Sequence, residues 1–198
     1  MRVNKGLMIA ATFDPTKRTS LITVADMCRK IEENSISLPL YQRDISWTLQ
    51  KCIDLLNYQL WGKAPVSPIS INVINTVDSA VPQVSFIDRE IISTIERGQY
   101  SVVDGQQRLT TNYKAYCNHD DFRNIVLDLG KGEFTEVRDS IRSNQIPVGI
   151  LLNKEDTKLF EYTKAKSALG SADVLSVLLQ VRSKMRNYNY TLNSAEDL

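Results

Sequence analysis

The chain has 198 residues, 42% of them hydrophobic and 24% charged, with a formal net charge of +1. That suffices for one folded domain with a real core and room for an appended subdomain, and near-neutrality removes any global electrostatic drive toward nucleic acid. Cys28, Cys52 and Cys117 form no Cys-x-x-Cys pair or zinc pattern, and no apolar run reaches the roughly 18 residues that a membrane span requires.

Met1 to Thr12 imitates a signal peptide only faintly. Its apolar part is short and is broken by Asp14-Pro15, so a cytoplasmic protein is expected. Residues 1–19 read as an irregular or strand-containing arm. Thr23-x-x-Asp26 then looks like a capped helix start, with Val24, Met27, Cys28 and Ile31 on one face. Leu38 to Ile45 should be extended, because Pro39 ends any helical tendency. Thr48 can cap the next helix. Leu49, Cys52, Ile53, Leu56 and Leu60 share its apolar face, and Gly62 stops it. The buried positions predicted for Cys28 and Cys52 suit reduced thiols.

Pro68 to Asn75 alternates as a strand, with Ile69, Ile71 and Val73 inward. Val84 to Ile87 is strand-like. Glu90 to Glu96 fits strand or helix, and a β-hairpin leading into Tyr100–Val103 is the favoured reading. Arg123 to Leu129 reads as a strand closed by Gly130-Lys131-Gly132. Phe134, Val137 and Ile141 suggest a short helix, and Ile146 to Leu152 another strand. From Glu155 the pattern is helical. Ser171 can cap a helix striped by Val174, Leu178, Val181 and Met185, and the polar tail after Asn187 is expected to fray. The whole reads as α+β, with a core over 1–152 and a helical extension over 153–198.

One segment carries the chemistry. Tyr100-Ser-Val-Val103 is a strand, Asp104-Gly105 a turn, and Leu109, Tyr113 and Tyr116 the face of a helix. Gln106, Gln107 and Arg108 therefore stand where a helix begins, which is a natural place to hold phosphate. Arg108 adds a planar fork of donors suited to phosphate oxygens. Asp104 fits two roles, a turn-former or a water-mediated Mg²⁺ ligand. No G-x-x-x-x-G-K-[ST] occurs, so a P-loop is excluded.

A second segment, Leu38-Pro39-Leu40-Tyr41-Gln42-Arg43-Asp44-Ile45-Ser46-Trp47, has the form L-P-x-Y-Q-R-x-x-x-W. Together with Asp104-Gly-Gln-Gln-Arg108 it resembles the N-terminal domain of GmrSD-type, modification-dependent restriction systems. That family carries Y-Q-R…W, then D-G-Q-Q-R at a helix start, and belongs to the wider ParB and sulfiredoxin-like fold group. The resemblance runs over residues 20–152.

The resemblance implies a nucleoside triphosphate as ligand or substrate, with Tyr41, Gln42, Arg43, Gly105, Gln106 and Arg108 binding it. Asp104 and Gln107 would serve hydrolysis, with Asp104 placing Mg²⁺. It also implies a role in phage–host conflict, in which the nucleotide state gates DNA or a nuclease partner. By residue chemistry alone, Tyr41 and Trp47 suit packing, and Arg43 could instead pair with a carboxylate such as Asp44. The alternative to an NTPase is a non-catalytic ParB-like module that binds DNA or protein. His119, the one histidine, cannot build an HNH nuclease centre and reads as a loop residue. Asp88-Arg89-Glu90 reads as a solvated hairpin, and autonomous DNA cleavage is not expected.

Overall fold

The computed structural model describes residues 4–12, 18–43, 46–62 and 68–196. It is an α+β protein with two separate sheets. Helix α1 (Lys5–Thr12) occupies part of the expected irregular arm. Its start is capped by Asn4, whose Oδ1 accepts from the backbone of Gly6 at 2.7 Å. Strand β1 (Arg18–Thr23) runs into α2 (Val24–Glu32). The Thr23 hydroxyl accepts from Asp26 N at 3.1 Å and donates to the Asp26 carboxylate at 2.8 Å, a short-armed version of the capping box.

The main sheet is completed by β2 (Ile36–Pro39), β3 (Ile69–Val73), β4 (Gln83–Val84), β5 (Tyr100–Asp104) and β9 (Asn189–Glu196). Its order is β1-β9-β3-β5-β2-β4. The β3–β9 and β2–β5 pairs are parallel, and the other pairs antiparallel. Helix α2 and α4 (Gln106–Tyr116) pack against one another beside this sheet. Val24, Met27, Cys28, Ile31, Leu38, Ile69, Val102, Leu109 and Tyr190 share its core.

Strands β6 (Ile125–Asp128), β7 (Glu133–Glu136) and β8 (Gln145–Pro147) make an antiparallel second sheet in the order β7-β6-β8. Its core is shared with α3 (Leu49–Trp61), the single turn α5 (Val148–Leu151), α6 (Thr157–Ala165) and α7 (Ala172–Arg186). Thr48 caps α3, and Gly62 ends it in the left-handed region at φ 60°. Asp128 is buried at the end of β6. Its hydrogen bonds from Gln145 and then from the Lys131 and Gly130 backbone hold its carboxyl below the usual range.

Further local expectations differ from the structure. The predicted helical face at Phe134 is strand β7, because the glycine turn folds it back on β6. Asn57 of α3 then takes both the N–H and the C=O of Phe134, at 2.7 and 2.9 Å, covering the open edge. The expected hairpin over 84–96 shrinks to β4 and an isolated Val84–Ile91 bridge. Ile146 to Leu152 divides into a short strand and a helical turn. The tail expected to fray is β9, in the interior of the main sheet. Among the described residues, no helix is long and apolar enough to cross a membrane.

Candidate functional site

Strand β5 ends at Asp104, Gly105 turns the chain, and α4 begins at Gln106. Gly105 has φ 102° and no side chain to cap the helix. A Cβ there would stand 2.3 Å from Ile69 Cδ1, so β3 packing as well as backbone geometry demands glycine. The first-turn N–H groups of an uncapped helix end carry partial positive charge.

Arg108 lies in that first turn with its side chain 12% exposed. Its Nη2 donates to Asp104 Oδ2 and to Pro68 O, each at 3.2 Å. The guanidinium thus bridges the end of β5 and the approach to β3. Asp104 is far more open, at 74%, and can meet solvent or ligand while steadying the arginine.

The second motif lies against the first. After β2 the chain turns, with Gln42 N donating to Pro39 O at 2.9 Å, so the expected extended run to Ile45 is interrupted. Gln42 Nε2 donates to Val103 O at 2.7 Å and to Val102 O at 3.3 Å. From the other side, Gln107 Oε1 accepts from the backbones of Ser46 and Trp47 at 3.2 and 3.1 Å. The described residues on either side of positions 44–45 are therefore tied down, Gln42 to β5 by its own side chain and the backbone of Ser46 and Trp47 to α4 by Gln107. Arg43 follows Gln42 directly and is exposed. The Asp44 pairing considered for it lies outside the described residues.

The remaining candidates take distinct places. Tyr41 is 64% exposed, which removes the packing role, whereas Trp47 packs on the second core as expected. The Gln106 side chain is buried, and its Nε2 has no hydrogen-bond partner in the structure. Gln107 has a positioning duty through its carbonyl oxygen. His119 accepts from Asp121 N at 3.2 Å and caps a short 3-10 turn, a local structural role. Among the described residues, no three His, Cys, Asp or Glu side chains cluster as a metal cage. An open carboxylate such as Asp104 fits Mg²⁺ in the way that ion commonly binds, through one or two carboxylates, waters and phosphates.

A buried network behind α4 has no counterpart in the sequence reading. Asn112 Nδ2 donates to Arg108 O at 3.0 Å and to the Tyr190 hydroxyl at 2.9 Å. Gln59 Nε2 of α3 donates to the same hydroxyl at 2.9 Å. Burial pushes the Tyr190 phenol strongly up, so it stays protonated. Polar residues at otherwise apolar helix positions are the one signal that could have found Gln59 and Asn112.

The family model for the N-terminal domain of GmrSD restriction endonuclease matches residues 24–195. The chain belongs to this family. The match begins at the first residue of α2 and runs through α7 into β9, beyond the segment in which short motifs are visible. No curated protein matches the chain. As a GmrSD N-terminal domain, it is part of a restriction-type defence system.

Proposed function

We propose that this GmrSD N-terminal domain binds a nucleoside triphosphate at the start of α4 and hydrolyses it, so gating a DNA-cleaving partner. The observation that carries the reading is that Gln42 and the Ser46–Trp47 backbone are both hydrogen-bonded to the segment around the Asp104–Arg108 turn. These bonds tie the residue before Arg43 to the end of β5 and the backbone of Ser46 and Trp47 to α4, beside an uncapped helix start and a glycine with left-handed backbone. Arg108 and Arg43 would hold phosphate oxygens, with backbone N–H groups of the first helical turn beside them. Gly105, Gln42, Tyr41 and Gln106 complete the binding surface and its support. Asp104 would hold Mg²⁺, which would neutralise phosphate charge, and Gln107 would orient the attacking water. Such a site works by positioning and electrostatics and forms no covalent intermediate.

The test is titration of the purified chain with ATP, GTP, CTP and UTP in Mg²⁺, together with phosphate release. Arg108→Ala is expected to bind about tenfold to a hundredfold more weakly, from the loss of a charge-assisted hydrogen bond of roughly 1.5–3 kcal/mol. Because Arg108 also donates to Pro68 O, a thermal melt of the variant confirms that it is folded before its affinity is read. Equal affinity in wild type and folded Arg108→Ala would refute the assignment. DNA binding with no nucleotide binding would favour a non-catalytic DNA-binding module instead.

A further inference from the structure

We propose that Arg89 is a positioning residue for this site, fixing the peptide from which Arg43 projects; the role rests on the nucleotide reading above. Arg89 lies outside both motifs, in the irregular segment between β4 and β5. Its Nη2 donates to Gln42 O at 2.6 Å, with a longer contact to Leu40 O at 3.5 Å. The short bond engages the carbonyl of the Gln42–Arg43 peptide. Because a peptide is planar, holding that carbonyl also fixes the direction of the Arg43 N–H.

The backbone of Arg89 is itself unusual. Its φ is 58°, in the left-handed region that costs a non-glycine residue stability. The surrounding loop holds it there. Ser85 N donates to Glu90 O at 2.9 Å, and Glu90 N donates to Ser85 Oγ at 3.1 Å, closing the turn that carries Arg89. Ile92 N then donates to Gln83 O at 2.9 Å and ties the loop back to β4. A backbone kept in a costly conformation and tethered on both sides aims one guanidinium at the Tyr41–Arg43 turn.

Gln42 is held in three directions as a result. Its N–H is fixed by Pro39 O, its side chain by Val103 O, and its carbonyl by Arg89. A preorganised loop loses less freedom when Arg43 closes on a polyanion, so the contact is expected to add affinity without touching the ligand.

The experiment compares wild type, Arg108→Ala, Arg89→Gly and Arg89→Lys, all as the full chain. It measures titration with ATP and GTP in Mg²⁺, melting temperature, and hydrogen–deuterium exchange over residues 40–43. Glycine relieves the left-handed backbone and so offsets part of the loss of the hydrogen bond to Gln42 O, and Arg89→Gly should melt within a few degrees of wild type. It should nonetheless bind about tenfold more weakly, as expected for losing one charged hydrogen bond, and exchange faster at 40–43. An arginine that served stability alone would lower the melting temperature when removed but leave the affinity of the folded protein and the exchange at 40–43 unchanged. Arg89→Lys keeps the charge without the planar fork and should also weaken binding, so it reads the same contact if the glycine variant folds poorly. Wild-type exchange at 40–43 in both Arg89 variants overturns the inference whether or not nucleotide binds. If wild type binds, Arg108→Ala binds more weakly, and both Arg89 variants bind as wild type, only the role of Arg89 falls. A wild-type chain that binds no nucleotide overturns the site reading, and the role of Arg89 in it.

Discussion

Gly105 meets two demands at once, a left-handed backbone at φ 102° and a side-chain volume that leaves room for Ile69 Cδ1. Ile69 is fully buried, so it has little space in which to retreat. Gly105→Ala is therefore expected to lower unfolding free energy by about 1–3 kcal/mol from backbone strain, with the contact adding to it. Urea denaturation measures this, and an unchanged midpoint at unchanged slope would contradict it. The turn was legible in the sequence because Asp-Gly is a local signal. The packing against Ile69 was not, since it depends on β3 returning beside β5 from more than thirty positions earlier. The same holds for Arg89, whose carbonyl partner is 47 residues away in the chain. Gln107 shows the complementary case. The motif put it at the site, but only the fold reveals that its carbonyl oxygen closes a loop.

Strand β9 carries the largest departure from the sequence pattern. Asn189 to Glu196 is polar enough to read as a solvated tail, yet Tyr190 is 1% exposed and Leu192 4%. A strand with two buried apolar residues among polar ones gives almost no periodic signal, and what secures it is pairing with β1 on one side and β3 on the other. Tyr190 ties this strand to α3 through Gln59 and to α4 through Asn112. Tyr190→Phe keeps the ring but leaves two buried amide donors without their acceptor. A loss of roughly 1–3 kcal/mol is expected, which calorimetry or urea unfolding would detect. An unperturbed Tyr190→Phe would mean that water or an amide flip satisfies both donors. Helices α2, α3 and α7, by contrast, were readable from spacing and caps, because Thr23, Thr48 and Ser171 each accept from the first turn as their local sequence suggests. Phe134 misled because an apolar residue every three or four positions also fits a strand followed by a loop.

The two cores are joined by chain order as much as by contact. The segment beyond residue 152 sends Leu159, Leu169, Leu178 and Met185 into the core of the second sheet, and Tyr190 and Leu192 into that of the main sheet. Arg182 reinforces the connection. It is 5% exposed and donates to Leu151 O at 2.6 Å, Asn153 O at 2.7 Å and Asp156 Oδ1 at 2.6 Å. Burying an aliphatic or aromatic side chain contributes about 1.5–3 kcal/mol, so these six amount to roughly 10 kcal/mol or more. That is of the same size as the net stability of a typical domain, about 5–15 kcal/mol. A chain ending at Leu152 would also leave β1 and β3 without the strand that lies between them. We expect such a truncated chain to lack a cooperative thermal transition and to bind no nucleotide, although it retains every residue of both motifs. Its circular dichroism melt and ATP titration test this. A truncated chain that melts sharply and binds as the full chain does would show that the motif-bearing part folds by itself, with α6, α7 and β9 as an addition to it.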